Sequence, residues 1–351
     1  VGYDDNVLRL PDGTEPAFFD SASPTYFAQA GLGAKARIKR SRQRIVAAID
    51  LYHREYEEQD ELSHTGGTAR LDFQWRAAER WSGTVFGAYD RRLRDLEDQL
   101  QVSEGLRDTR TLGASAKYAL TNELSLELAG AYSDIDVERE FDLEVEREDL
   151  AVRLARTLAD DGVVGFEARR LERTSDEIGS LADFDQVEIG AYWRQALAPT
   201  LRLEAAIAHA DREPVDSFSE DYQGVIGDLS LTWDIGPRFA LRVTGLRDVG
   251  NLNDELSDFA LIDEYRIEPL FRASNRLEFG LSLGRQERDF EGGAGTRRDR
   301  TNRYGGNVLW KFGAASSLGF ELEYGDRSSN RANREFEYTM ALITFRLGLS
   351  P

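Results

Sequence analysis

Basic and acidic side chains recur at alternate positions through much of this 351-residue chain, and that spacing is the first feature that could do chemistry. Lys35 and Arg37 show it, as do Arg70, Asp72 and Arg76, then Arg153, Arg169, Arg194 and Arg202, and later Arg242, Arg266, Glu268, Arg303 and Lys311. Carboxylates are interleaved with them, among them Glu127, Glu167, Glu188, Glu204 and Asp228, then Glu264, Glu278, Glu321 and Glu323. A guanidinium offers forked donors that suit carboxylates and sugar oxygens. The same alternation of sign also suits ordinary cross-strand ion pairs. Such groups hold or pass a solute; they do not by themselves make or break bonds.

Patterns for covalent chemistry are weaker. GLSLG (280–284) matches G-x-S-x-G but lies in an alternating segment with no helix after it, so a nucleophile elbow is not expected. GLGAKA (31–36) lacks the third glycine of a dinucleotide loop. Cysteine is absent, which removes thiol catalysis, disulfides and Cys-ligated zinc. The three histidines, His53, His64 and His209, are too far apart for a local metal motif. The most acidic stretch, DIDVEREFDLEVERED (134–149), puts Asp136, Glu138, Glu140, Asp142, Glu144, Glu146 and Glu148 on one parity. It lacks the glycine of a calcium-binding EF-hand loop, and reads as a solvated hairpin that repels or gates anions. GGAGTRRDR (292–300) reads as a basic loop able to fold inward. No catalytic residue, metal site or cofactor is expected.

Acidic residues outnumber basic ones by 64 to 44, a net charge of −20 that argues against a nucleic-acid partner. Mean hydropathy is −0.50, and no apolar run reaches the ~18 residues of a membrane-spanning helix. That leaves open the β-barrel, whose signal is alternation in segments of ~10 residues. Val1 opens the chain with no charged-then-apolar leader, as in an exported chain whose signal peptide has been removed.

The charges must therefore be placed by strands. In TARLDFQWRAA (68–78), Leu71, Phe73, Trp75 and Ala77 take one face, and Arg70, Asp72, Gln74 and Arg76 the other. The same period of two runs through 25–38, 44–54, 124–133, 187–194, 201–207, 239–244 and 304–311. Short connections fall near 39–43, 78–82, 121–123, 159–162, 197–200, 234–238, 272–275 and 312–316. Long polar ones fall near 9–23, 57–66, 94–107, 134–147, 173–184, 211–221, 248–258, 287–301 and 326–334. The hairpin repeat is roughly 39 residues. Short turns at one end and long loops at the other form the outer-membrane pattern. A soluble sandwich has no reason to sort its loops this way.

The expected fold is all-β: a single domain over residues 1–351, a transmembrane antiparallel up-and-down barrel of about eighteen strands, with sixteen the alternative. Seventeen strands are clear, and VGYDDNVL (1–8) supplies a short first one, which would put both termini at the short-turn, periplasmic rim. Trp75, Trp81, Trp193, Trp233 and Trp310 all lie near short turns on the apolar parity, as an aromatic girdle would. Tyr132, Tyr222, Tyr265, Tyr304 and Tyr324 lie near the long-loop ends and suit the opposite girdle. The apolar row of 68–78 then faces lipid and its charged row a watery lumen.

The opening VGYDDNVLRLPDG (1–13), through Tyr3 to Asn6 with Leu8 and Arg9, resembles the start of EpsL-like proteins. These are outer-membrane barrels of exosortase-associated exopolysaccharide systems, within the wider group of porin-like barrels. The resemblance implies export of an extracellular polysaccharide across the bacterial outer membrane. It implies as partners that polysaccharide, outer-membrane lipid and lipopolysaccharide, and periplasmic or inner-membrane export components. A general or small-solute porin is one alternative, and a structural barrel or adhesin with long acidic surface loops is another.

Overall fold

A computed structural model of the chain describes residues 1–11, 24–94, 105–138, 143–159, 161–176, 183–215, 220–250, 258–292, 296–313 and 315–348. The alternating segments form eighteen strands. They are β1 (Gly2–Asp4), β2 (Thr25–Arg40), β3 (Gln43–Tyr56), β4 (His64–Ala77), β5 (Trp81–Leu93), β6 (Leu106–Ala119), β7 (Leu124–Val137), β8 (Leu143–Thr157) and β9 (Val163–Ser175). They continue with β10 (Phe184–Ala198), β11 (Leu201–Pro214), β12 (Tyr222–Ile235), β13 (Phe239–Gly250), β14 (Phe259–Arg272), β15 (Leu277–Glu291), β16 (Arg297–Lys311), β17 (Ser317–Ser329) and β18 (Phe336–Arg346). Every strand pairs antiparallel with its sequence neighbours, and β1 pairs with both β18 and β2, closing the barrel. Closure satisfies backbone groups that lipid cannot hydrogen-bond.

Register fixes which residues share a face. Leu71 lies opposite Ala47 and Gly87, and Phe73 opposite Ile45 and Val85. Leu71 is 53% exposed and Phe73 38%, so this apolar row looks outward with no protein over it. A charge in that row at mid-bilayer would cost roughly 2–4 kcal/mol. All five tryptophans keep the outward parity beside the short turns. The short turns use left-handed backbone at Ser41, Ala78, Asp161 and Gly236, where φ is 54°, 54°, 56° and 74°.

Apart from β1, the strands run 11 to 16 residues, more than the ~9–11 that cross hydrocarbon. The surplus extends the wall beyond the lipid on the long-loop side, so the loops are shorter than the sequence suggests. The acidic stretch is such a hairpin, with Asp134 opposite Glu146 and Asp136 opposite Glu144 on the outward face. Glu140 and Asp142 lie outside the described residues.

Three expectations are corrected. Tyr222 does not join the outer girdle: its register partner Arg212 is inward-facing, and the ring is buried against Phe259. Arg297–Arg300 is not loop but the start of β16, with Arg297 and Asp299 buried inside and Arg298 and Arg300 outside; residues 293–295 lie outside the described set. The amino end does not reach the short-turn rim, because the Val1 ammonium donates to the Ile343 carbonyl (2.9 Å), part way along β18.

The closure through β1 covers three residue pairs on each side. Residues 5–10 tighten it. Arg9 donates a fork to the Asp4 carboxylate (2.8 and 2.9 Å) and stacks 3.7 Å above the Tyr338 ring. The Asn6 amide donates to the carbonyls of Leu10 and Glu337, and the Asp5 carboxylate accepts from the Thr339 backbone N–H. Leu8 is buried with Val7, Phe27, Tyr56 and Leu62.

Candidate functional site: a charged lumen narrowed at its outer end

Each lumen residue read from the sequence takes the inward parity. Lys35, Ala48, Arg70 and Ala88 form one inward row, and Arg37, Val46 and Asp72 the next. Arg76 leads through Ser82, Lys117 and Glu127 to Arg153 and Glu167. Arg169 faces Glu188, Arg194 faces Glu204, and Arg202 leads through Thr232 to Arg242 and Glu268. Arg266 and Arg303 flank Gly284, and Lys311 sits beside Ser317.

Register brings many of these charges into pairs. Arg70 holds Asp72 (2.8 Å), Arg153 bridges Glu127 (3.5 Å) and Glu167, and Arg169 bridges Asp149 (2.5 Å) and Glu188 (3.6 Å). Arg194 meets Glu204 at 3.5 Å, Arg266 meets Glu264 at 2.9 Å, and Lys311 meets Glu278 at 2.6 Å. Partly solvated pairs add about 0–1 kcal/mol each to stability, so their main effect is on the field inside the lumen. A cavity of about 440 Å³ lies against this wall, lined among others by Lys117, Glu127, Arg153, Tyr192, Arg194 and Asp228.

The lumen differs between its two ends. Near the short turns the inward cations are open to solvent, Arg194 at 67% side-chain exposure. Toward the long loops the inward charges are buried: Arg173, Arg212, Arg288, Arg297, Asp299 and Arg327 are all below a tenth exposed. Several lie on aromatic rings, Arg212 on Phe184 at 3.8 Å, Arg297 on Phe290 at 4.1 Å and Arg327 on Phe336 at 4.7 Å. The periplasmic half is an open vestibule, and the outer half is narrowed by protein.

One hairpin end does much of the narrowing. Pairing between β12 and β13 stops at Gly227 opposite Arg247, although β12 continues outward to Tyr222 alongside β11. Beyond that point β13 stays paired with β14 alone. The detached end leans into the barrel, so its nominally outward residues Val249, Phe259 and Leu261 pack on inward Ala208, Ala210, Tyr222 and Ile226. Asp258 accepts from the Glu220 backbone N–H (2.8 Å), and its carbonyl accepts from Arg212 (3.4 Å). Beside the hairpin, Asp248 and Val249 line a cavity of about 250 Å³ with Arg107, Arg147, Arg169 and Arg173. The described inward parts of this hairpin are 248–250 and 258–261, whereas Arg297–Arg300 of the basic stretch stays in the wall as the start of β16.

Outside the barrel, above the lipid, the surplus wall carries paired charges. Arg110 bridges Asp134 (2.9 Å) and Asp136 (3.2 Å), Arg170 holds Asp185 (2.5 Å) and Glu172 (3.1 Å), and Arg247 holds Asp263 (3.1 Å). The carboxylates of Asp134, Asp136 and Glu144 converge within 4.8 Å, but Arg110 already offsets part of that charge. His53 and His209 keep the outward parity, and GLSLG lies inside β15. Sequence reasoning missed inward Lys39 and Lys117, which continue the alternation past the segments it used, and left Arg44, on the polar parity of 44–54, out of the lumen set.

Solved outer-membrane proteins share the architecture at low identity. OpdK of Pseudomonas aeruginosa superposes with a TM-score of 0.54 and 9% identity, over 98% of this chain and 95% of its own. OccAB3 of Acinetobacter baumannii gives 0.50 and 11%, over 97% and 96%. OpdL of Pseudomonas aeruginosa gives 0.50 and 13%, over 97% and 95%. These likenesses carry the fold alone. No protein of curated function matches the sequence. Residues 163–348, from the start of β9 past the end of β18 and just over half of the chain, match the family model described as "Putative beta-barrel porin 2". An eighteen-stranded barrel with a lipid-facing apolar band and a charged lumen agrees with that match, and the chain belongs to this family of porin-like barrels of the bacterial outer membrane.

Proposed function

We propose that this outer-membrane barrel exports a secreted exopolysaccharide from the periplasm to the cell surface. The observation that carries the reading is the asymmetry of the lumen. Its charged vestibule opens toward the short turns, where a polymer made inside the cell would arrive, and its outer end is narrowed by the inward ends of β13 and β14. A vestibule that loads from within and a constriction at the outer end suit export. Arg, Lys and carboxylate groups spread along the wall would hold hydroxyl-rich units weakly at many points, so that a chain can both enter and leave. The resemblance of Tyr3–Arg9 to EpsL-like chains supports the same reading, with periplasmic or inner-membrane components delivering the polymer.

Deletion of the gene tests it. Export predicts loss of secreted polysaccharide with polymer accumulating in the periplasm. Normal secretion in the deletion strain contradicts it. Normal secretion with altered surface attachment would favour an adhesin, and slowed small-solute uptake would favour a general porin.

A further inference from the structure

Six inward cations crowd one sector of the periplasmic mouth: Lys35, Arg37 and Lys39 on β2, Arg44 on β3, Arg76 on β4 and Lys117 on β6. All six are exposed and none forms an ion pair among the described residues, although Lys117 lies opposite Glu127 on β7. Elsewhere in the wall Arg153, Arg169, Arg194, Arg266 and Lys311 each have a carboxylate. On β2 to β6 the inward carboxylates nearest the mouth are Asp50, one pair above Lys35, and Asp72, which Arg70 already holds.

This concentration occurs in a chain of net charge −20, so it does not reflect a general excess of basic residues. It also opposes folding. Lys39 lies directly opposite Arg44, and like charges in that relation destabilise a sheet. On β2 the charges repeat at every second residue, about 6.8 Å apart. That is a ladder, which suits an anion repeated along a chain better than one small ion. A charged funnel with low-dielectric walls focuses its field and speeds capture of opposite charge.

We infer that the periplasmic mouth recognises a polyanion, a polysaccharide bearing carboxylates along its length, through this basic sector on β2 to β6. The inference rests on the export reading and narrows its substrate to an acidic glycan. The sector would capture the polymer and feed it to the paired wall above.

The test uses the full-length protein in planar bilayers, with oligomers of polygalacturonate or of neutral dextran added on the short-turn side. Polygalacturonate should interrupt the current with an association rate that falls steeply with salt, and dextran should do so far less. The combined variant Arg37→Gln, Arg44→Gln, Arg76→Gln and Lys117→Gln should slow polygalacturonate capture by about tenfold or more. Heat-modifiable electrophoretic mobility checks that the variant folds. If mobility shows misfolding, the pairs Arg37→Gln with Arg44→Gln and Arg76→Gln with Lys117→Gln are read separately, and each should slow capture. Arg298→Gln with Arg300→Gln, on the outer face, should leave capture unchanged. Equal block by dextran, or an unaltered rate in the folded variants, overturns the inference. So does failure of polygalacturonate to block while an acidic periplasmic protein co-purifies with the wild type and not with the variant; the mouth would then be a docking site for that protein. The two readings fail separately. Normal secretion in the deletion strain removes export and leaves the polyanion site standing. Lost secretion of a neutral polymer keeps export and removes the site.

Discussion

At Arg9 the backbone sits at φ 56°, a left-handed conformation unusual outside glycine. Its guanidinium forks onto Asp4, whose side chain is only 5% exposed, and covers the Tyr338 ring. Replacing Arg9 with Ala leaves a nearly buried carboxylate without that partner, a loss of about 3–5 kcal/mol. Unfolding of the Arg9→Ala barrel by urea in detergent micelles should shift by that amount. A shift below about 1 kcal/mol, the range of a solvated surface pair, would show that the fork does not help close the barrel. The segment that carries the family resemblance thus has a structural role of its own. At this scale the sequence reveals the face each side chain takes, because parity along a strand is local. It does not reveal that Arg169 meets Asp149 and Glu188 while Arg37 meets no carboxylate among the described residues, because pairing depends on the register between strands.

The strands themselves were legible wherever both faces kept their solvents. The eight short turns, the acidic hairpin and the tryptophan row follow from alternation, since lipid on one side and water on the other impose it. Alternation cannot show where a strand leaves the wall. FALIDEY (259–265) reads as ordinary wall, yet its first residues lie within the barrel, because Phe259 and Val249 find apolar partners on β11 and β12. That contact joins residues far apart in the chain. In the same way, RRDR (297–300) reads as a loop because its charges hide the period of two, while the structure divides them into a buried and an outward pair. If the β13–β14 end is the gate, Phe259→Ala removes the ring that packs on Tyr222 at 5.7 Å and should loosen it. Single-channel conductance should rise several-fold, with more frequent openings. Conductance equal to wild type would place the constriction elsewhere.

Across the whole molecule, charge is sorted by solvent. Outward charges collect above the lipid in pairs such as Arg110 with Asp134 and Arg247 with Asp263, and inward charges line the lumen. The band between the tryptophans and the outward tyrosines is apolar on its outer face. The net charge of −20 hides a cationic mouth, so total charge is a poor guide to what the lumen accepts. Composition and alternation were enough to identify a barrel. The open vestibule and the narrowed outer half were not legible, because burial inside a barrel depends on which segments turn inward. Transport through this barrel requires a watery lumen behind a lipid-facing wall, and the absence of cysteine makes this directly measurable. Gln74→Cys, Phe73→Cys, Thr84→Cys and Val85→Cys would each be made singly, reconstituted in liposomes and exposed to a charged, membrane-impermeant maleimide. Cysteines at 74 and 84 should label readily, and those at 73 and 85 should resist until detergent is added. Equal labelling at all four positions, or the reverse preference, would contradict a water-filled, lipid-walled barrel.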